Sequence, residues 1–423
     1  MNTLRAIWKL PDLRRAILYV FGMLFIFRAA AHVPIPGVDA ENLRRFFASN
    51  QLLGLLNLFS GGGLEQFSVV SLGIAPYITA SIIFQLLTMI IPPLEAISKE
   101  GEMGMRRINQ YTRIATVPLA AIQGYGFLTL LSRSAVPILR DLTVPGKLLT
   151  VFVMTAGTIF LMWIGELVSE KHVGNGISLL IFAGIISNLP KKFQQLFLTL
   201  DATQLFTLIA FILIGLATIA GVVYITEAQR NIPVSYARVV RGNRLYGGVN
   251  THLPLRVTQA GVIPIIFAIS ILLFPPTIAQ FFLGAKSQAI RAVAQGISTI
   301  FQNQILYGIL YFFLVVAFTY FYTAIIFQPD KIAENLQKQG GFIPGIRPGR
   351  PTSEYLGFTV NRVIIAGALF LGVIAVLPLV VQSATGIQAF TVGGTSLLIV
   401  VSVVIESIKQ IQAQLVMREY EGF

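Results

Sequence analysis

The 423-residue chain contains no cysteine, three histidines and only 12% charged residues. Without cysteine there can be no disulfide, thiolate zinc site, iron–sulfur cluster or cysteine nucleophile. His32, His172 and His252 lie far apart in sequence, and none pairs with another at metal-ligand spacing. Charge is scarcer still in context, because soluble domains carry about 25% charged residues. No GxxxxGK[ST] phosphate loop occurs, so the chain shows no means of hydrolysing a nucleotide. No cofactor is expected, and energy must come from a partner or from the membrane potential.

What the chain does have is apolar length. It is 55% hydrophobic, with a mean hydropathy of +0.76. A membrane-spanning helix needs about 20 mostly apolar residues. The sequence predicts ten such spans, at 16–34, 68–91, 114–132, 148–168, 174–190, 205–226, 259–282, 304–327, 360–382 and 390–411. The uncharged run from Val363 to Ile405 is long enough for two, divided by a break at Ser383–Gln388. The first apolar stretch follows Arg5, Lys9, Arg14 and Arg15 and shows no convincing signal cleavage site, so the N-terminus is expected on the cytoplasmic side.

The net charge of +13 tests this count. With both termini inside, 21 of the 31 lysines and arginines fall on the cytoplasmic side and nine outside, with Arg28 within the first span. Removing a middle span would invert every later loop and spoil this bias. Ten spans divide into five and five, so related halves at 1–190 and 191–423 would have to be inserted in opposite orientations. Each half has an interrupted span, at Pro76 and at Pro264 with Pro275 and Pro276.

Three regions carry more than topology. Leu52–Phe59 is a short apolar run followed by Ser60-Gly61-Gly62-Gly63. Eight residues of helix reach about 12 Å, too short to span, and consecutive glycines allow a sharp reversal. Irregular backbone survives at membrane depth only when buried in protein or lining a cavity. Residues 54–66 are therefore expected to be a re-entrant piece inside the bundle, although an interfacial exterior loop accounts for them equally well. Residues 227–258 and 328–358 form long basic loops. The first has Gly242-Asn243 between residues of strand propensity, a two-residue hairpin turn. The second carries Arg347 among prolines and glycines. Loops needed only to turn the chain could be far shorter, so these suggest docking of something large and acidic.

Several separated motifs resemble the SecY family of protein-conducting channels, from Arg14 to Val416. They are Leu58-Phe-Ser-Gly-Gly62, Leu72-Gly-Ile-Ala-Pro-Tyr-Ile78, Gly174-Asn-Gly-Ile177, Thr251-His-Leu-Pro-Leu255, Gly341-Phe-Ile-Pro-Gly-Ile-Arg-Pro-Gly349 and Gly393-Gly-Thr-Ser396. The departure from the family pattern is a short tail after Val416. The resemblance implies an all-α polytopic membrane protein of the cytoplasmic membrane, with ten helices in two inverted halves around an hourglass pore. It would translocate unfolded polypeptides and release transmembrane segments sideways into the lipid bilayer. Carried over residue by residue, the pore ring is Ile74, Ile78, Ile181, Ile185, Ile266 and Ile399. The plug includes Leu55, Leu56, Asn57, Leu58, Phe59, Ser60, Gly61 and Gly62. Thr79, Gln123 and Phe274 lie at a lateral gate between the second and third spans and the seventh and eighth. Arg241, Arg244 and Arg347 would dock the motor ATPase SecA and the ribosome, and small subunits resembling SecE and SecG would accompany the chain.

The residues themselves agree with parts of this. Both ring pairs on one helix are i,i+4 and share a face, and β-branched aliphatics at a neck exclude ions without demanding matched hydrogen bonds. Isoleucine pairs at this spacing are nevertheless common here. A secondary transporter of a small solute is the main alternative, but such proteins place ionisable groups at the midplane. Here Arg28, Glu166 and Glu406 all lie towards span ends. A membrane-embedded hydrolase would need a Ser–His pair or two aspartates within spans, and neither occurs.

Overall fold

A computed structural model describes residues 10–49, 57, 60–132, 137–139, 143–198, 205–236, 239–241, 244–246, 250–259, 261, 263–283, 287–385 and 389–421. Among these, ten helices have 16 residues or more: α1 (Pro11–Ala30), α3 (Ala75–Ile90), α5 (Glu102–Ser132), α6 (Val144–Ser169), α7 (Gly176–Leu198), α8 (Leu205–Glu227), α9 (Ile263–Phe282), α11 (Gln304–Ile326), α13 (Arg350–Thr385) and α14 (Ala389–Glu421). Each overlaps one expected span. Several, including α8, α9 and α11, are apolar on every side, as helices buried among other helices or lipid must be. Five of the described helices are long and apolar enough to cross a membrane on those grounds alone.

Four shorter helices accompany them: α2 (Ala40–Ser49), α4 (Pro92–Lys99), α10 (Gln288–Gln302) and α12 (Pro329–Lys338). All four are strongly one-sided, the pattern of helices lying along a boundary rather than crossing it. α4 turns by 100° from α3 at Ile91, where two prolines follow.

Several helices run past their expected spans, α5 and α13 at the start and α7 and α14 at the end, and the first two spans are shifted by contacts at their ends. The second span does not begin at residue 68: residues 68–74 are turns, and the helix starts at Ala75 with Pro76 in its first turn. Gly73, at φ +60°, breaks the approach, and the turns are fixed instead by Val69 N–H donating to Val33 O at 2.9 Å and Ile35 N–H donating to Phe67 O at 2.8 Å. The first helix runs 11–30 rather than 16–34, because residues 33–35 are drawn into this contact.

The helices pack as two groups. α1, α3, α5, α6 and α7 contact one another, as do α8, α9, α11, α13 and α14. The groups meet along two seams, α3 and α5 against α9, and α7 against α14. One buried apolar cluster runs across both groups, from Phe27 and Ile78 to Tyr311 and Val403.

Beyond the bundle, β1 (Gln229–Tyr236) and β4 (Asn250–Arg256) form an antiparallel ribbon. Inside its loop β2 (Val239–Arg241) and β3 (Arg244–Tyr246) pair with Arg241 opposite Arg244; Gly242 and Asn243, the expected turn, lie outside the described residues. β5 (Gly341–Phe342) adds to the other edge of β1, with Ser235 opposite Phe342. The two long loops are thus one platform, with its own core of Ile232, Val234, Leu255, Leu336, Ile343 and Leu356.

Candidate functional site

The six ring candidates come from four helices of both groups. Ile74 caps α3 and Ile78 lies in its first turn; Ile181 and Ile185 are on α7, Ile266 on α9 and Ile399 on α14. Each is at most 3% exposed, and all belong to the same buried cluster. The i,i+4 spacing puts each pair on one helix face. Ile82, Ile265 and Ile269 share that cluster, so burial alone does not single out the six.

Beside this cluster sits the glycine segment. Of the plug candidates, Leu55, Leu56, Leu58 and Phe59 lie outside the described residues; Asn57, Ser60, Gly61 and Gly62 are described. Residues 60–64 are buried turns, as the re-entrant reading expects and an exposed surface loop would not be. Several of their polar groups are satisfied within the segment. Asn57 Oδ1 accepts from Glu65 N–H at 3.1 Å, Asn57 O accepts from Gly62 N–H at 2.8 Å, and Ser60 Oγ accepts from Leu64 N–H at 3.0 Å. That closure is what lets irregular backbone exist inside an apolar bundle.

The gate candidates lie near the seam between α3, α5 and α9. Thr79 is half-buried, and its hydroxyl donates to Ala75 O at 3.0 Å, within its own helix rather than across the seam. Gln123 on α5 is half-buried, and Phe274, just before Pro275 and Pro276 on α9, is 37% exposed. Sequence reasoning missed a second polar meeting point: Tyr322 of α11 approaches Gln85 and Tyr77 of α3. Tyr322 also packs edge-to-face on Phe267 of α9, ring centroids 5.4 Å apart. Gln85 lies seven residues after Ile78, but Tyr322 lies far from every ring position in sequence, so no local signal pointed to this approach.

Ion pairs mark the opposite ends of these helices. Arg113 Nε on α5 is 2.5 Å from Glu166 Oε1 on α6, and Lys409 Nζ on α14 is 2.9 Å from Glu227 Oε1 on α8. Gln414 Nε2 of α14 donates to His172 O at 2.8 Å, tying the second group to the loop before α7.

On the platform, Arg347 is exposed between β5 and α13, and its carbonyl accepts from Thr352 Oγ1 at 2.9 Å. Arg241 and Arg244 flank the tip of the inner hairpin. Nearby on α12, the Lys338 ammonium beside Glu334 holds that carboxyl below its ordinary range. Among the described residues no group of histidines or carboxylates could hold a metal.

Residues 68–408 match the SecY family. The Streptomyces coelicolor protein translocase subunit SecY is 45% identical, with 98% of each chain covered. The chain belongs to the SecY family. Its fold is similar to a solved protein-conducting channel, TM-score 0.65 at 17% identity, covering 93% of this chain and 91% of that one. It is also similar to Sec61 from a canine ribosome–channel complex of the endoplasmic reticulum, TM-score 0.61 at 16% identity, with the same coverage. One helical bundle thus carries a buried apolar cluster, a buried glycine segment beside it and a basic platform.

Proposed function

We propose that this SecY-family chain forms a channel that passes unfolded polypeptides across the cytoplasmic membrane and releases apolar segments sideways into lipid. The observation that carries this reading is the burial, at the meeting of the two helix groups, of Ile74, Ile78, Ile181, Ile185, Ile266 and Ile399 in one cluster. A ring of such side chains repels water and ions when narrow, yet imposes no hydrogen-bond pattern on what passes. Residues 57–65 act as the plug on the exterior side of that ring. The halves 1–190 and 191–423 open like a shell about the α7–α14 seam, parting α3 and α5 from α9 and α11.

Both termini and the platform face the cytoplasm in this reading. Arg241, Arg244 and Arg347 receive a partner there, either the ribosome or a motor ATPase of the SecA kind. Arginine suits carboxylate or phosphate groups on either, through its planar fork. Small subunits of the SecE and SecG kind brace the bundle. A polypeptide arrested in transit should therefore touch the ring. Placing a photoreactive amino acid at Ile78 or Ile185 should crosslink the arrested chain, and the same group at lipid-facing Phe152 should not; crosslinking at Phe152 alone would contradict the pore assignment.

A further inference from the structure

Arg28 is a charged side chain within the first apolar helix, and its position gives it one evident task. It lies in the last turn of α1, half-buried, and Nη1 donates to Gly61 O at 2.5 Å. Among the described residues no carboxylate pairs with it. A guanidinium at this depth needs an acceptor, and such residues are retained where they serve function. The acceptor here is the backbone of the segment assigned as the plug.

The surrounding contacts make this a clamp rather than a chance approach. Gly61 has φ +67° and lies between α1 and α7. A Cβ on Gly61 would fall 2.7 Å from Phe27 Cζ on one side and 3.0 Å from Gly184 Cα on the other. A Cβ on Gly184 would in turn fall 2.4 Å from Gly61 Cα. The next residue, Gly62, has φ +84° and lies against the Asn188 amide, 3.0 Å from where its Cβ would be. Gly184 adjoins Ile185, so the clamp sits directly beside one ring position. Because Asn57, Ser60 and Glu65 close the segment on itself, it can leave as a body once this grip is released.

We infer that Arg28 is a positioning residue that holds the idle channel shut by gripping the Gly61 carbonyl, with Phe27 and Gly184 as the jaws. Both anchors belong to the first helix group. The plug is therefore registered to the half that carries Ile74, Ile78, Ile181 and Ile185, and it need not follow α9 when the gate seam parts. This inference rests on the plug reading above.

The test is idle-channel ion conductance in planar bilayers, using the channel purified with whatever subunits accompany it from native membranes. Four forms are compared: the unaltered chain, Arg28→Ala, Arg28→Lys, and Gly184→Ala, each with and without deletion of residues 57–65. A charge-assisted hydrogen bond of ordinary strength corresponds to roughly a tenfold to hundredfold change in the open-plug population. Arg28→Ala should raise idle conductance on that scale, Arg28→Lys should restore most of the seal, and Gly184→Ala should leak although Arg28 is intact. In the plug-deleted background all four should conduct alike. If deletion alone leaves the unaltered channel tight, the plug reading itself fails, and this inference with it. If deletion causes leakage but Arg28→Ala stays tight, or adds leakage beyond the deletion, Arg28 does not act through Gly61 and the inference alone is overturned. Thermal unfolding of each variant in detergent identifies any that leak by misfolding, and Gly184→Ala and Arg28→Lys then decide.

Discussion

Gly157, in the middle of α6, lies so close to Val69 that a Cβ there would fall 2.0 Å from the Val69 carbonyl oxygen. The turns at 68–74 are held against α6 at this point, and they are what delivers Ile74 and Ile78 to the buried cluster. Gly157→Ala should therefore destabilise the chain by about 1–3 kcal/mol, the usual range for overpacking a well-filled site. Thermal unfolding in detergent checks this. An unchanged midpoint would show that the turns are not pressed against α6.

The seal should depend on apolar side chains at the neck. Replacing Ile78 and Ile185 together by serine should wet it and raise ion leakage, most clearly when residues 57–65 are also deleted. The helices should still pack, since each serine can return its hydroxyl bond to its own helix. Conductance in planar bilayers equal to that of the plug-deleted parent would remove these two residues from the ring.

Arg347 offers its charge from a segment fixed by Pro344, Gly345, Pro348 and Gly349. Arg347→Glu should weaken partner affinity and partner-driven transport while leaving insertion of the chain itself normal. The loss should be larger in low salt, where an exposed charge is less screened. Wild-type affinity and rate would reduce Arg347 to a charge that only sets topology.

The ten spans were legible because apolar runs of this length have no other use, and the charge bias resolved their number. The pairing of β2 with β3 was equally legible, since Gly242-Asn243, outside the described residues, sits between short strand-forming runs. What the sequence hid were pairings between distant residues. Nothing local in Gly341-Phe342 announces that it joins the edge of β1 and fuses two basic loops into one platform. The start of α3 differs for a similar reason: residues 68–74 are apolar enough to read as span, but bonds within the turns, to Gly63 and from Val69 to Val33 hold them out of a helix. Thr79 is expected beside the seam; its hydroxyl bonds within its own helix, and the approach of Gln85 to Tyr322 is a further polar contact that the sequence did not announce. The six ring residues could be named by resemblance, because an isoleucine facing a pore and one facing a neighbour look identical in sequence.

Sideways opening has its own test, made clean by the absence of native cysteine. A disulfide forms only when α-carbons come within about 7 Å. In a Thr79→Cys, Phe274→Cys double variant, oxidation should link α3 to α9 and block transport, and reduction should restore it. Full-rate insertion of apolar segments while the link is intact would move the gate to another seam.

The central claim, that the chain conducts polypeptide, is tested most directly by translocation into vesicles. The channel, with its accompanying subunits, is reconstituted at defined orientation and supplied with a motor ATPase, ATP and a labelled unfolded substrate. The account predicts that full-length substrate becomes protected from added protease, and that it is digested once the vesicles are opened with detergent. No protected polypeptide, together with ion-coupled accumulation of a small solute by the same vesicles, would contradict it.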